Sequence, residues 1–382
     1  MRTLFLTMAM ASSALAYTPT PLVEGASAPD FKLPGVDDKD YTLADFSGKD
    51  ALAVIFTTNH CPDAITSHDR MIALVDHFKD QSVSFVAINS NSPEGIRLDE
   101  LRFSAYDDGF EDMKVIAKDK KFNLPYLFDG NTQEVAKAYG AVATPHVFIF
   151  DKDLKLRYNG RMDDGRRKIG PTEKNEARDA ITSILAGEKV KVVKTRPVGC
   201  TTKWKEKSGA VAASNAKWKA NQVTVEIANA ETLGKIAANK GNKGMRLINL
   251  WSTTCGPCLH EFPDLTEIYR MYSLQNFEFI PISLDPASDI EKVTQFLTDQ
   301  ECGLPKHVAR KLEKEQRTTN NYIFDGDTED LGKAIDSEWN GALPYTVLVG
   351  ADGKVLFRHS GVIDPLELKK TIVKQVWKDH AE

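Results

Sequence analysis

An apolar run that ends in two closely spaced cysteines decides the fold of this chain: Leu247-Ile248-Asn249-Leu250-Trp251-Ser252-Thr253-Thr254-Cys255-Gly256-Pro257-Cys258. The apolar part predicts a buried strand, and the apolar residues after Cys258 recur at helical spacing. A helix N-terminus presents unpaired N–H groups and a partial positive charge, which lower the pKa of a thiol placed there. Because Cys258 lies about one turn after Cys255, the two sulfurs can close a disulfide. The stretch therefore predicts a strand, a redox-active dithiol and a helix, in that order.

These residues carry a family resemblance. Cys255-Gly256-Pro257-Cys258 followed by Glu261-Phe262-Pro263 resembles the active site of the thioredoxin superfamily, and most closely its extracytoplasmic TlpA/ResA-like branch. The resemblance implies that Cys255 attacks a substrate disulfide and that Cys258 resolves the mixed disulfide. It also implies that Pro344 is a cis proline facing the cysteines, and that Leu343 offers its backbone to a bound peptide. Thr254 stands where most relatives carry Trp, on the rim that contacts substrate.

Three further residues of the second half, two polar and one sulfur-containing, have separate interpretations. Glu261 either accepts a proton from Cys258 in a partly buried position, or is a solvated acid that complements the helix dipole. Asn249 occupies the place of a buried Asp in thioredoxins and cannot take a proton. Cys302 stands alone and is interpreted as a spectator thiol. Zinc requires about four ligands, and the sequence has no second Cys-x-x-Cys pair, so we expect no metal and no cofactor.

The first half of the chain repeats the layout of the second. Residues 126–130 (YLFDG) match residues 322–326 (YIFDG), and Thr144-Pro145 matches Leu343-Pro344. We therefore predict an α/β protein with two tandem thioredoxin-like domains, each a central mixed β-sheet flanked by helices. The predicted parts are a signal peptide (1–16), a redoxin-like or peroxiredoxin-like domain with a degenerate Thr-x-x-Cys site (23–196), a Cys-containing tail and Lys/Ala/Ser linker (197–222), and the domain with the Cys-Gly-Pro-Cys site (223–382).

The repeat aligns Cys61 with Cys258 and leaves Thr58 in the place of the first cysteine, so the first domain cannot close a local dithiol. One interpretation is a thiol peroxidase, because Thr-x-x-Cys is part of the peroxiredoxin motif and a thiolate there would become a sulfenic acid. Val54 and Pro145 replace the Pro and Arg of that family. A degenerate client-binding domain with an inert Cys61 is another interpretation.

A third interpretation pairs Cys61 with Cys200. The first domain resembles a redoxin group in which a helix-start C-N-H-C-P is accompanied by a later V-G-C-x-x-K-W, and the matching stretches are residues 59–62 and 198–204. That resemblance implies a Cys61–Cys200 disulfide, either as a resolving pair or as a structural clamp. A copper site using Cys61, His60 and His146 is a further alternative, since sulfur and imidazole suit Cu(I).

The remaining sequence features concern location and partners. Arg2, an apolar core and Ala14-Leu15-Ala16 predict a secretory signal cleaved before Tyr17, and hence a periplasmic or otherwise extracytoplasmic protein. We expect no transmembrane segment in the mature chain. The net charge of −5 gives no sign of nucleic-acid binding. Five cysteines are too few for a disulfide scaffold.

Together these features predict an exported thiol–disulfide oxidoreductase that reduces disulfides in client proteins through Cys255 and Cys258. The resemblance implies a membrane thiol relay as its electron donor. The enzyme alternative is a thiol peroxidase that uses Cys61 and is recycled by the C-terminal dithiol. The alternative from another class is a client-binding module.

Overall fold

A computed structural model describes residues 19–381, so the predicted signal peptide lies outside the described residues. The first domain has nine strands in this range: β1 (Lys32–Pro34), β2 (Asp40–Thr42), β3 (Ala51–Phe56), β4 (Val83–Asn89), β5 (Tyr126–Phe128), β6 (Ala143–Thr144), β7 (His146–Asp151), β8 (Leu156–Gly160) and β9 (Cys200–Thr201). Its helices are α1 (Pro62–Ile65), α2 (His68–His77), α3 (Phe110–Lys120), α4 (Glu134–Tyr139) and α5 (Glu176–Leu185).

The main sheet of the first domain has the order β5-β4-β3-β7-β8. Strands β3, β4 and β5 run parallel, whereas β7 and β8 are antiparallel to their neighbours. Every residue of β3 is buried, because one apolar cluster covers each face of the sheet. A continuous apolar strand buried on both faces is typical of the centre of an α/β sheet.

The second domain follows the connecting helix α6 (Ser208–Lys219). Its strands are β10 (Val225–Ala228), β11 (Met245–Trp251), β12 (Phe277–Ser283), β13 (Asn321–Phe324), β14 (Tyr345–Val349) and β15 (Val355–Ser360). Its helices are α7 (Ala230–Ala238), α8 (Gly256–Tyr272), α9 (Ile290–Asp299), α10 (Lys306–Lys314), α11 (Thr328–Ile335) and α12 (Pro365–Ala381). The sheet order is β10-β13-β12-β11-β14-β15, with the fully buried β11 near its centre.

Most of the segment predicted to be a tail and linker (197–222) forms a helix or pairs with the first domain instead. Residues 208–219 form α6, as their alanine content favours. The indole of Trp218 meets the ring of Tyr269 edge-on at 5.2 Å between centroids. Upstream of α6, β9 pairs with β6 and Trp204 is buried in a core cluster of the first domain. The first domain therefore extends beyond residue 196 to about residue 205.

The two domains pack against each other through a segment of the first domain. Leu101 and Phe103 lie in the same apolar cluster as α8 and α12 of the second domain. The indole Nε1 of Trp377 donates to the Phe103 carbonyl at 3.1 Å. The hydroxyl of Tyr272 donates to the Ser104 carbonyl at 2.7 Å. The domains thus share buried surface and are joined by more than the chain connection.

The Tyr272 hydroxyl provides a test of this interface. Tyr272→Phe removes a buried hydrogen bond between domains, and we expect a loss of about 1 kcal/mol in the free energy of unfolding. The matched control is Tyr269→Phe on the same helix, because that buried hydroxyl has no hydrogen-bond partner among the described residues. Denaturant titration of both variants measures the difference. Equal destabilisation by the two substitutions would contradict this account of the interface.

None of the helices in residues 19–381 is both long enough and apolar enough to cross a membrane.

Candidate active site

The cysteine pair of the second domain lies at the start of α8. Cys255 is the N-cap residue and forms a disulfide with Cys258. The amide of Cys258 points at the Sγ of Cys255 at 3.3 Å. Cys255 is partly exposed whereas Cys258 is fully buried. An incoming sulfur can therefore reach Cys255, and the helix N-terminus stabilises a thiolate on it.

A carboxylate that the sequence analysis missed anchors the loop before Cys255. Asp285 follows β12 and accepts hydrogen bonds from the amide and the hydroxyl of Thr253, at 2.8 and 2.6 Å. The Ser283 hydroxyl also donates to it at 2.6 Å. The sequence could have indicated this contact. Asp285 follows the apolar strand β12, and β12 is parallel to β11, whose end leads into the cysteine loop. The next loop residue, Thr254, is exposed, so it lies on the open rim.

The loop before β14 approaches the same end of the sheet. The Leu343–Pro344 peptide is cis. Strand β14 is antiparallel to β11, with Tyr345 opposite Leu250. This register brings Pro344 to the end of β11 from which the cysteine loop departs. Leu343 is partly buried and packs against the apolar cluster that Cys255 also contacts.

Glu261 is buried, so its interpretation as a solvated acid is wrong. Its side chain has no exposed surface, and it follows Cys258 by three residues, a spacing that places both on one helix face. Its carboxylate accepts from Asn249 Nδ2 at 2.9 Å and from the Ile363 amide at 3.0 Å. Burial raises the pKa of Glu261, against the opposing effect of these two hydrogen bonds.

The pairing register of the two sheets shows which cysteine of the second domain corresponds to Cys61. Phe56 pairs with the residue after Pro145, and Leu250 pairs with the residue after Pro344. Cys61 and Cys255 each follow those strand residues by five positions, and each is the N-cap of the next helix. Cys61 therefore occupies the place of Cys255, and the predicted equivalence with Cys258 is wrong. The repeat offset was misleading because the offset varies along the chain.

Around Cys61 the structure gathers a buried polar network centred on Asp108. The carboxylate of Asp108 accepts from the Thr58 hydroxyl, the Asn59 amide and Asn91 Nδ2, at 2.6 to 2.7 Å. Its Oδ2 lies 2.6 Å from Nδ1 of His60. Thr58 is thus a hydrogen-bond donor in this site. No sequence signal marked Asp108, which follows an irregular stretch distant from Cys61 in the chain.

The charges of this network stabilise one another. Burial raises the pKa of a carboxylate, but the charge of His60 and the hydrogen bonds to Asp108 outweigh it and lower the pKa of Asp108 to about 2. Burial likewise disfavours a charged imidazole, yet Asp108 raises the pKa of His60 above its usual value. Both pKa shifts favour the charged form of each partner, an imidazolium–carboxylate pair next to Cys61.

The structure does not bring together the residues of the copper alternative. Both ring nitrogens of His146 have other partners. Nε2 lies 3.1 Å from Asn159 Oδ1, and Nδ1 accepts from the Val142 amide. His60 instead faces Asp108. Across residues 19–381, no group of three or more His, Cys, Asp or Glu side chains is arranged to hold a metal. Cys302 is buried in the second domain and burial raises its thiol pKa.

Comparison with known proteins agrees with this architecture. Residues 25–159 match the AhpC/TSA family and residues 215–375 match the redoxin family. The thiol-disulfide oxidoreductase ResA of Geobacillus thermodenitrificans is 27% identical over 124 residues, which cover 32% of this chain and 58% of that protein. The matched region thus spans little more than half of that relative.

Two solved structures are also similar. An uncharacterized conserved protein from Geobacillus kaustophilus shares 37% identity, covering 48% of this chain and 92% of that chain, with a TM-score of 0.43. A hypothetical protein from Sinorhizobium meliloti 1021 shares 31% identity, covering 48% and 96%, with a TM-score of 0.44.

The fold and the dithiol define a protein of the thioredoxin-like class, which confirms the predicted fold. The chain belongs to the thioredoxin-like superfamily and combines an AhpC/TSA-type domain with a redoxin-type domain.

Proposed function

We propose that this protein is an extracytoplasmic thiol–disulfide oxidoreductase that reduces disulfides in client proteins through Cys255 and Cys258. The observation that carries the proposal is the asymmetry of the pair at the start of α8. Cys255 is accessible and receives a backbone N–H, whereas Cys258 is buried behind it. The ResA name of the relative supports the same chemistry. The predicted signal peptide supports export.

The reaction follows from that asymmetry. The Cys255 thiolate attacks one sulfur of a client disulfide, forms a mixed disulfide and releases one client thiolate. Cys258 then loses its proton and attacks the Cys255 sulfur, which closes the Cys255–Cys258 disulfide and releases the second client thiolate. Two electrons pass to the client. An external dithiol, for which we propose a membrane thiol relay, restores the reduced pair.

The residues around the pair have separate proposed roles. Leu343 and Pro344 line the entry for the client backbone, and the exposed Thr254 contacts the client at the rim. Glu261 accepts the proton of Cys258, because it is buried on the same helix face and burial raises its pKa toward that of a useful base.

Insulin reduction driven by dithiothreitol tests the proposal. We expect Cys255→Ser to abolish catalysis, and Cys258→Ser to accumulate a mixed disulfide with insulin that survives alkylation. Cys302→Ser is the control, since that thiol is buried in the second domain outside the pair. Full activity of the Cys255→Ser variant would overturn the assignment.

A further inference from the structure

The two cysteines of the first domain lie against each other although 139 positions separate them in the chain. The amide of Cys200 donates to the Sγ of Cys61 at 3.2 Å. Strand β9 places Cys200 directly opposite Thr144, whose carbonyl oxygen lies 3.3 Å from the Cys61 Sγ. Cys61 is fully buried and Cys200 is partly exposed. Both are free thiols in the structure.

Backbone contacts on both sides of Cys200 hold it next to Cys61. Before it, Gly199 passes so close to the first domain that a Cβ at this position would lie 1.9 Å from the Thr144 carbonyl oxygen. After it, the amide of Lys203 donates to Asn91 at 2.7 Å, and the Lys203 carbonyl accepts from the Ser92 amide at 2.9 Å. The contact between the two cysteines is therefore held by a fixed segment.

The surroundings favour a thiolate on one sulfur and a thiol on the other. Burial would raise the pKa of Cys61, but a hydrogen bond from Cys200, the charge of His60 and the Ala64 amide lower it to about 6. The hydrogen bond to Cys61 raises the pKa of Cys200. His60 Nε2 is buried and has no hydrogen-bond partner among the described residues.

We propose that Cys61 and Cys200 form a second dithiol–disulfide centre, in which Cys200 exchanges with external thiols and Cys61 is the buried partner. The proposal is independent of the function proposed for Cys255 and Cys258. The two domains differ in which sulfur is accessible. In the second domain the N-cap cysteine, Cys255, is the accessible one, whereas in the first domain the N-cap cysteine, Cys61, is buried and Cys200 is accessible.

This centre can oxidise dithiols once its own disulfide has formed. Cys200 attacks an external disulfide, and Cys61 then attacks the Cys200 sulfur of the mixed disulfide, so that the external disulfide leaves as two thiols and the Cys61–Cys200 bond closes. An external thiolate attacks the Cys200 sulfur of the Cys61–Cys200 disulfide, so that a mixed disulfide forms on Cys200 and Cys61 leaves as a thiolate. A second thiolate from the same substrate attacks its own sulfur in that mixed disulfide and releases Cys200, which takes up a proton. The substrate dithiol becomes a disulfide and the protein gains two electrons. Stabilising the reduced form makes a disulfide more oxidising, so the charge of His60 beside Cys61 favours this direction of exchange.

The test uses the full chain with Cys255→Ser and Cys258→Ser, equilibrated in glutathione buffers of stepped redox potential. Acid quenching, alkylation and mass spectrometry then count the free thiols. We expect Cys61 and Cys200 to lose their alkylation together and to appear as one cross-linked peptide pair. The Cys61→Ser, Cys200→Ser variant, with Cys255 and Cys258 intact, gives the potential of the second domain for comparison.

Three other outcomes would each overturn the proposal. They are alkylation of both cysteines across the whole range, glutathione adducts on Cys200 with no cross-link, and peroxide-dependent sulfenate on Cys61 without a disulfide. The last would indicate a thiol peroxidase.

A glycine pair provides the matched geometric control. Gly199→Ala displaces Cys200, and we expect the cross-linked fraction at a fixed buffer composition to fall at least tenfold. Gly209→Ala should leave it unchanged, because a Cβ at that position in α6 meets no atom within 4 Å. An equal cross-linked fraction in the two variants would contradict the claim that the close contact of Gly199 with Thr144 holds Cys200 next to Cys61.

Discussion

Glu261→Gln is expected to slow disulfide reduction by about 100-fold at pH 7, within the range that general-base catalysis contributes. The reason is that glutamine cannot take the proton that Cys258 must lose before it attacks the mixed disulfide. The variant should therefore accumulate mixed disulfide with the client and still form it at a normal rate. Stopped-flow mixing with a disulfide peptide, followed by acid quenching, separates the two steps.

The side chain of glutamine fits the site, which makes the substitution a clean test. The Asn249 oxygen is buried with no hydrogen-bond partner among the described residues, so rotation of that amide lets the oxygen accept from a glutamine at 261. The Thr346 hydroxyl, which accepts from Asn249 Nδ2 in the structure, can then donate to the same oxygen. The remaining oxygen of the glutamine can accept from the Ile363 amide. Loss of activity would then report the missing proton acceptor and not a broken fold.

Protein stability gives an independent check with a definite sign. Burial raises the folded-state pKa of Glu261, so the ionised carboxylate costs stability above that pKa, and the cost vanishes as the pH falls below the unfolded value. Glu261→Gln should therefore be at least as stable as the natural protein at pH 7. The control is Glu267→Gln, an exposed carboxylate on the same helix. Normal turnover by the Glu261→Gln variant would exclude the base role.

The parts of this structure that sequence could predict are those encoded in contiguous residues. The buried strand, the two cysteines and the helix of the second domain follow from hydrophobic periodicity and a helix N-terminus. The tandem arrangement follows from the repeated YLFDG and YIFDG stretches. Each signal lies within a dozen residues, where local propensity and burial agree.

The parts that sequence could not predict depend on contacts between distant segments. Asp108 reaches Thr58 and His60 only because an irregular stretch folds back across the sheet. Asp285 reaches the cysteine loop because two parallel strands end at the same edge. The equivalence of Cys61 with Cys255 needed the strand register, since a variable offset cannot fix an alignment to within three residues. Helix α6 was missed because its low-complexity composition is also typical of linkers.

Asp108→Asn is expected to destabilise the first domain by about 3–5 kcal/mol, the usual cost of breaking a buried ion pair. Asparagine cannot accept all the hydrogen bonds that converge on the carboxylate, and its amide would face the donors of Thr58 or Asn91. His60 would lose its counter-charge while remaining buried. Asp107→Asn is the matched control, because an exposed asparagine can still accept from the Gly109 amide.

The pH dependence of this loss distinguishes the ion pair from a simple packing defect. The Asp108 contribution is present above its unfolded pKa near 3.8 and is lost as the pH falls toward 2. The His60 contribution is present below its unfolded pKa near 6.5 and is lost as the pH rises through the raised folded value. Denaturant titrations in a Cys61→Ser background remove the titration of the neighbouring thiol.

In that background the difference in stability between the chain with Asp108 and its Asp108→Asn variant should be largest between about pH 4 and pH 6.5, the window set by the two unfolded pKa values. A difference that stays constant from pH 3 to pH 9 would mean that the network acts through hydrogen bonds alone. His60 would then be neutral, and the imidazolium could not stabilise a thiolate on Cys61. The Cys61–Cys200 centre would then lack the charge that favours release of Cys61 as a thiolate, so the pH profile also bears on the redox chemistry proposed for this centre.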